Sequence, residues 1–481
     1  MTAVQGLRRR QLLGTLGTLG ALAAAGLGSA AWPVAPHSAP GVLVENASRL
    51  YAVRVSRVVV PTGLQDVVRA VRQWPGAVAV GGARYSMGGQ VGVEGGLHVD
   101  MRRMNALVWL DTSARKVRVQ AGMRWRDVQD HLDPHDLAVR TMQSYANFTV
   151  GGSVSVNVHG RYVGHGPIGA SVRALQIVLA SGEVREASRL QHPDLFRAAL
   201  GGYGGLGVIT EVELDLDANT AMERTVAHVA LEDYRGFFAA KVAANPQAVM
   251  HNADLLPPAF DRATAVTWAR TDKPVTVPDR LVPRGLPYTL DKSVIWAVTE
   301  LPGGHQLQHK VVRPALLRGQ PVVWRNHEAS LDAASLEPAS RAQSTYVLQE
   351  YFVPVAQFAT FTRGLARILA QHGAQVLNIS VRHAPPDPDA VMAWAREEVF
   401  SWVLYYKQGT SPEACEAVAV WTRALIDWAL QHGGTYYLPY QRHATQAQFA
   451  AAYPQADRFR AIKALWDPEG RMTNMLWKQY L

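Results

Sequence analysis

The chain has 481 residues, 48% of them apolar and 18% charged, a globular balance that excludes a disordered or fibrous protein and leaves room for more than one domain. Three of the charges behind its formal +9 are Arg8, Arg9 and Arg10, and the other basic residues are scattered rather than gathered in a stripe, which speaks against nucleic acid as a partner. Its one cysteine, Cys415, excludes an intramolecular disulfide and a paired-cysteine zinc site; His-Glu-x-x-His is absent too, so no metal is expected.

Residues 1–31 read as an export signal: a cationic start, an apolar Gly/Ala/Leu stretch and small residues at Gly28-Ser29-Ala30. Arg9-Arg10-Gln11-Leu12-Leu13 is similar to a twin-arginine signal, the address for chains exported already folded to the periplasm. The alternative is a membrane anchor over residues 11–31, a stretch just long enough to span. Residues 32–49, rich in Pro, Ala and Ser, read as a linker.

Residues 50–218 alternate short β-branched runs with helical segments. "VSRVVVP", "AVAV" and "KVRVQAG" read as strands; "GLQDVVRAVRQW" and "MRWRDVQDHLDPH" read as helices. "VRALQIVLASGEVREAS" predicts a hairpin turning at Ser181-Gly182, and "GVITEVELDL" a long strand. Three Gly-rich loops stand out: "VGGARYSMGGQ" (80–90), "VGGSVSVNVHG" (150–160) and "LGGYGGLGVIT" (200–210). The second reads as a β-type run with almost no side-chain bulk, which weakens a strand unless something approaches its backbone. Such loops present unshielded N–H groups able to cradle a diphosphate. None is a Walker A loop or a Rossmann turn.

Residues 219–446 read differently: strand "TYVLQEYFVP", a helix to Gly373, strands "AQVLNISVRH" and "EVFSWVLYYKQG", then a long helix closed by Gly433-Gly434. That order predicts an antiparallel sheet covered by helices. Residues 447–481 form a C-terminal segment with a turn at Asp467-Pro468-Glu469-Gly470. The expected fold class is α+β.

"FTVGGSVSVNVHGRYVGHGPIGASVRALQIVLASGEVREAS", followed by "DLFRAALGGYGGLGVITEVELDL", resembles the vanillyl-alcohol oxidase superfamily of FAD enzymes, within it the branch of sugar-lactone oxidases, alditol oxidases and decaprenylphosphoryl-ribose oxidases. The resemblance implies a PCMH-type FAD-binding domain of two subdomains over residues 50–218, a substrate-binding cap over 219–446, and a tail, 447–481, that returns to the FAD domain. It implies a flavin diphosphate against Gly82, Ala83, Arg84, Tyr85 and Ser86, with Gly151, Gly152 and Ser153 near the diphosphate and ribityl chain. Asn157, His159 and Gly160 would pass close to the ring, Gly207 and Ile209 would face the adenine side, and Asn474 would approach the flavin edge. Many relatives carry a His that bonds the flavin covalently where this chain has Tyr85, and no Cys lies in that domain. Non-covalent FAD is therefore expected.

Hydride transfer to a flavin needs a group that orients the alcohol and takes its proton. By the resemblance, Arg382 holds a basic position over the flavin, and Ser380 stands where many relatives have an acid. Asn378, Ser380 and Arg382 alternate, so they share one strand face, either towards the substrate or towards solvent. Gln349 and Tyr351 are expected to share a substrate-side face on the neighbouring strand, with Glu350 pointing away. Where relatives carry a catalytic Lys, this chain offers Tyr440 or Arg442; Tyr440, like Tyr436 and Tyr437, could equally be packing. His159 is the other candidate base. The expected reaction is oxidation of an alcohol on a sugar, alditol, lactone or similar polyol, with oxygen or a quinone-linked carrier as acceptor. Trp394, Trp402, Tyr405 and Trp421 keep open an aromatic alcohol or an amine, and the missing Lys and acid keep open a flavin-retaining binding protein without turnover.

Overall fold

The computed structural model describes residues 41–338 and 340–481. The expected export signal and the first part of the linker lie outside these residues. Among the described residues, no helix is long and apolar enough to cross a membrane, and no group of His, Cys, Asp and Glu could hold a metal ion.

The protein is α+β. Its first sheet holds three parallel strands, β1 (Arg57–Val59), β2 (Val78–Gly81) and β3 (Leu97–Asp100), with β3 in the middle. Helix α1 (Leu64–Gln73) joins β1 to β2 and buries Val67, Val68 and Val71 in the core of this sheet, each worth about 1.5–3 kcal/mol of apolar burial. Asp66 in its first turn accepts from the Thr62 N–H at 3.0 Å and fixes the entry.

The second sheet comprises β4 (Leu107–Asp111), β5 (Lys116–Gln120), β6 (Leu137–Val139), β7 (Val172–Leu179), β8 (Val184–Ser188) and β9 (Gly207–Ala218), all antiparallel. The long strand β9 is its spine and pairs with β5, β6 and β7. The β7–β8 hairpin turns where the sequence predicts, with Gly182 at φ 79°. Helices α2 (Trp125–Leu132), α3 (Val150–Ser155) and α4 (Pro193–Ala199) pack around it.

Helix α3 corrects the sequence reading: "VGGSVS" is one short helix, not a thin β-type run. Glycines and β-branched residues disfavour a helix, but tertiary bonds override that here. The Trp125 indole N–H donates to Ser153 Oγ at 2.8 Å, and Ser153 Oγ donates to the Thr149 carbonyl at 2.9 Å. The absence of a side chain at Gly151 is a packing need, since a Cβ there would lie 2.6 Å from that of Ala121.

The third sheet has eight antiparallel strands: β10 (Ala221–Ala230), β11 (Ala248–Leu255), β12 (Arg262–Arg270), β13 (Val322–Trp324), β14 (Ser344–Pro354), β15 (Gln375–Ala384), β16 (Val399–Gly409) and β17 (Thr435–Tyr436). Their order across the sheet is β13-β10-β12-β11-β15-β16-β14-β17. Helices α5 (Phe358–Gln371) and α6 (Pro412–Gln431) cover one face, where Phe361 meets Trp402 at 4.6 Å and Trp421 meets Tyr406 at 4.9 Å. The C-terminal segment runs back to the first sheet: the Val78 N–H donates to the Arg471 carbonyl at 2.8 Å, and helix α7 (Met475–Tyr480) follows.

Candidate active site

The uncovered face of the third sheet and the Gly-rich loops of the first two sheets enclose a cavity of about 420 Å³. Gly82, Ala83, Arg84, Tyr85 and Ser86 line it from one loop; Gly151, Gly152 and Ser153 line it from α3; Gly207, Ile209 and His159 line it as well. The N–H groups of Ala83, Arg84, Tyr85, Ser86 and Gly152 donate to no acceptor among the described residues, whereas those of Gly151 and Ser153 are used by the Ala121 and Thr149 carbonyls, at 2.8 and 2.9 Å. A half-buried run of free donors is unfavourable unless a ligand completes it. Arg84 sits inside this run at φ 62°, and a left-handed residue in such a run is how successive N–H groups are brought round one concavity.

The loop is pinned from behind. The Arg84 guanidinium donates to Asp100 at 2.8 Å and to His98 Nε2 at 3.0 Å. Burial, then the Arg84 charge, pushes His98 down to about 4. The ring is neutral at ordinary pH, donating from Nδ1 to the Val91 carbonyl (2.8 Å) and accepting at Nε2. Tyr85 stacks on Phe148 with centroids 4.3 Å apart.

Three expected flavin contacts are not cavity residues. Asn157, at φ 50°, holds Asp387 (2.7 Å) and accepts from the Gly169 N–H (3.1 Å); it is a buried corner piece. Gly160 packs on the Met142 carbonyl, which a Cβ would meet at 2.1 Å. Asn474 caps α7 through Leu476 N–H (2.9 Å) and donates to the Tyr203 carbonyl (2.7 Å). Arg442 is also elsewhere, donating to the Gly88 and Met475 carbonyls.

The sheet wall is built by register. Asp254 on β11 pairs with Ser380 on β15, Ser380 with Val403 on β16, and Val403 with Glu350 on β14. These four form one row across the sheet, and all four line the cavity, with Asn252, Asn378 and Arg382 beside them. Glu350 thus faces the site, and the expected parity of β14 is reversed. Gln349 and Tyr351 are buried on the opposite face, under α5 and α6. Of the aromatics that suggested an apolar substrate, Tyr405 alone lines the cavity. Trp402 and Trp421 are core residues, and Trp394 stacks on Phe352 at 4.0 Å.

Glu350 is the hub. Its Oε1 lies 2.5 Å from His159 Nε2, and its Oε2 accepts from the Tyr440 hydroxyl at 3.1 Å. Burial would raise its pKa, but the charge and hydrogen bond of His159, the Arg382 charge and the Tyr440 bond outweigh that and hold the carboxyl below the usual range. Tyr440 goes the other way: burial and the Glu350 charge raise it well above an ordinary phenol, so it stays protonated and acts as a donor, not as a base. A carboxylate lowered on folding stabilises the fold above its unfolded pKa and loses that contribution as pH falls through the lower folded value. Activity that needs ionised Glu350 should therefore persist below the usual carboxylate range. Tyr440→Phe removes one lowering contact and should move the acid limb of a pH–rate profile to higher pH; an unmoved limb would count against this assignment.

FAD fits these residues. Free backbone donors stand at the 83–86 loop and at Gly152 in α3, where a diphosphate could be held, and the opposite wall is polar and joined to a buried carboxylate. A family model described as an FAD-binding domain matches residues 55–188. The chain is 36% identical to a putative D-arabinono-1,4-lactone oxidase of Neurospora crassa over 31% of this chain and 27% of that protein. It is 30% identical to the L-gulonolactone oxidase of Mus musculus over 37% and 41%. These matches thus span less than half of either lactone oxidase. An alditol oxidase of Streptomyces is 27% identical over 87% of this chain and 93% of that protein.

Proposed function

We propose that the chain, whose residues 55–188 match an FAD-binding domain, is a member of the vanillyl-alcohol oxidase superfamily, and that it oxidises an alcohol carbon of a sugar, alditol, lactone or similar polyol. Bound FAD would supply the hydride acceptor, with oxygen or a quinone-linked carrier taking the electrons onward. The observation that carries the reading is the row from Asp254 through Ser380 to Glu350, flanked by Asn378 and Arg382 on one cavity wall. Such a wall offers hydroxyl-binding groups at strand spacing, which suits a chain of hydroxylated carbons.

Each residue has a part. Glu350 Oε2 accepts only the Tyr440 hydroxyl, so its second lone pair is open to a substrate hydroxyl and can take that proton. His159, on Oε1, keeps the carboxylate ionised and oriented. Asn378 has an amide oxygen with no partner and would bind a further hydroxyl. Glu350 supplies the acid that Ser380 lacks, which removes one of the two motives for a binding protein without turnover; no Lys lines the cavity among the described residues. Anaerobic mixing of the FAD-loaded protein with a polyol and lactone panel tests the reading: bleaching of the bound flavin is expected. Bleaching by amines or aromatic alcohols alone would overturn it.

The proposal includes non-covalent FAD. Burial and nearby Glu337 push the Tyr85 hydroxyl up to about 12, leaving it protonated and unreactive towards the ring. Acid precipitation should leave yellow flavin in the supernatant; colour retained in the pellet would contradict it. It also includes export by residues 1–31. Arg9→Lys with Arg10→Lys should strand the protein in the cytoplasm, and unchanged export would remove the twin-arginine reading.

A further inference from the structure

We infer that the substrate carries an anionic group, a carboxylate, and that Arg382 binds it, so that the enzyme acts on a polyhydroxy acid in preference to a neutral polyol. The inference rests on the polyol-oxidising reading above and names the substrate class within it.

Of the charged side chains that line the cavity, only Glu337, which is exposed, and Arg382 have no hydrogen-bonding partner among the described residues. Arg161 holds Glu328 at 2.7 Å. Asp254 is held by Arg313, and Glu350 by His159 and Tyr440. Arg84 is held on Asp100 at 2.8 Å, and Arg341 donates to Thr345 and to the Tyr346 carbonyl. Arg382 also lines the cavity, yet its guanidinium makes no hydrogen bond or ion pair with any described residue, and its Nε is buried without a partner. A guanidinium cannot shed its proton to escape burial, and Arg382 has only the more distant Glu350 charge to offset it, with no directly bonded partner, so an anion that meets it would be favourable. Its planar fork fits a carboxylate through two parallel bonds.

The spacing suits one bifunctional molecule. Arg382 lies on β15 and Glu350 on β14, with β16 between them. Two strand spacings separate their backbones by roughly 10 Å, and both side chains reach inward. A sugar-length carbon chain could set its carboxylate on Arg382 and present a hydroxyl towards Glu350. Ser380, beside Arg382 on β15 and in the same row as Glu350, lies between them, and the free Asn378 oxygen stands one step further along β15.

The competing role for Arg382 is to offset negative charge on the flavin, and the test separates the two. FAD-loaded protein is mixed anaerobically with D-gluconate and D-glucitol, which share a carbon skeleton, and with other matched acid and alcohol pairs. Binding of the same compounds is read separately as a perturbation of the flavin spectrum. The acids should give at least about tenfold higher kcat/KM. Arg382→Gln should abolish that preference, mainly through KM and the spectral binding constant, and Arg382→Lys should keep part of it. Equal rates for acids and alcohols, or an Arg382→Gln loss of the same size for both, would overturn the inference and leave polyol oxidation standing. Arg382-dependent binding of the acids without any bleaching would uphold the anion site and sink the oxidation reading. Neither binding nor bleaching by any acid would sink the anion site as well.

Discussion

Replacing Glu350 with Gln should slow flavin reduction by substrate about 10²–10⁴-fold while the protein still binds FAD, the range by which a positioned base contributes. Gln keeps the side chain's size and can still meet the Tyr440 hydroxyl and the His159 ring, so the wall should keep its shape. What it loses is the ability to accept a proton at Oε2. The loss should fall on kcat more than on KM, because the bond to the substrate hydroxyl tightens as the proton moves. The acid limb assigned to Glu350 should disappear from the residual activity. A visible flavin spectrum and a cooperative melting transition, at a somewhat lower temperature because the Glu350–His159 pair is lost, would confirm that the fold and cofactor survive. If the variant reduces flavin within a few-fold of the parent, Glu350 is not the proton acceptor.

The second large effect is expected at Gly82. A Cβ there would lie 2.0 Å from Thr149 Oγ1 and 3.1 Å from Thr149 Cβ, so Val at this position must push the 82–86 loop away from α3. That separates the two sets of free N–H donors, and FAD affinity should fall by more than about tenfold. Overpacking adds about 1–3 kcal/mol of destabilisation. Gly82→Ala should be milder, and adding Thr149→Ala should restore part of the flavin content, because the nearest clashing atom is gone. Flavin titration followed by visible absorbance reads all three variants. Parental affinity in Gly82→Val would mean that these loops do not hold the cofactor.

The sequence carries the fold well where periodicity has one meaning. Val67, Val68 and Val71 mark α1, Ser181-Gly182 marks the hairpin, and the order of β14, α5, β15, β16 and α6 follows directly. The Gly-rich loops were legible for the same reason: main chain left uncovered is visible as missing side chains. Parity on β14 was not legible. Both of its faces are buried, one by α5 and α6 and one by the cavity, so "LQEY" has no hydrophobic–polar contrast to fix which way Glu350 points. The register with β16 decides it, and register is a property of two strands. Helix α3 was hidden because its stability comes from Trp125, Thr149 and Ala121 rather than from its own residues. Asn157 looked like a ligand-binding group, but its left-handed backbone and its bond to Asp387 make it part of the frame. Asp254 and Asn252 sit on an ordinary alternating strand, "MHNADL", with no motif to single them out; only pairing with β15 brings them to the site.

The most direct measurement is the deuterium isotope effect on flavin reduction. The protein, loaded with FAD and kept anaerobic, is mixed with a polyol or polyhydroxy acid that it oxidises, protiated or deuterated at the reacting carbon, in the parent and in Glu350→Gln. The predicted result is bleaching several-fold slower with deuterium in the parent, and bleaching slowed about 10²-fold or more by the substitution. A flavin that binds fully but is bleached by no polyol, lactone or sugar acid would contradict the assignment of this wall to alcohol oxidation.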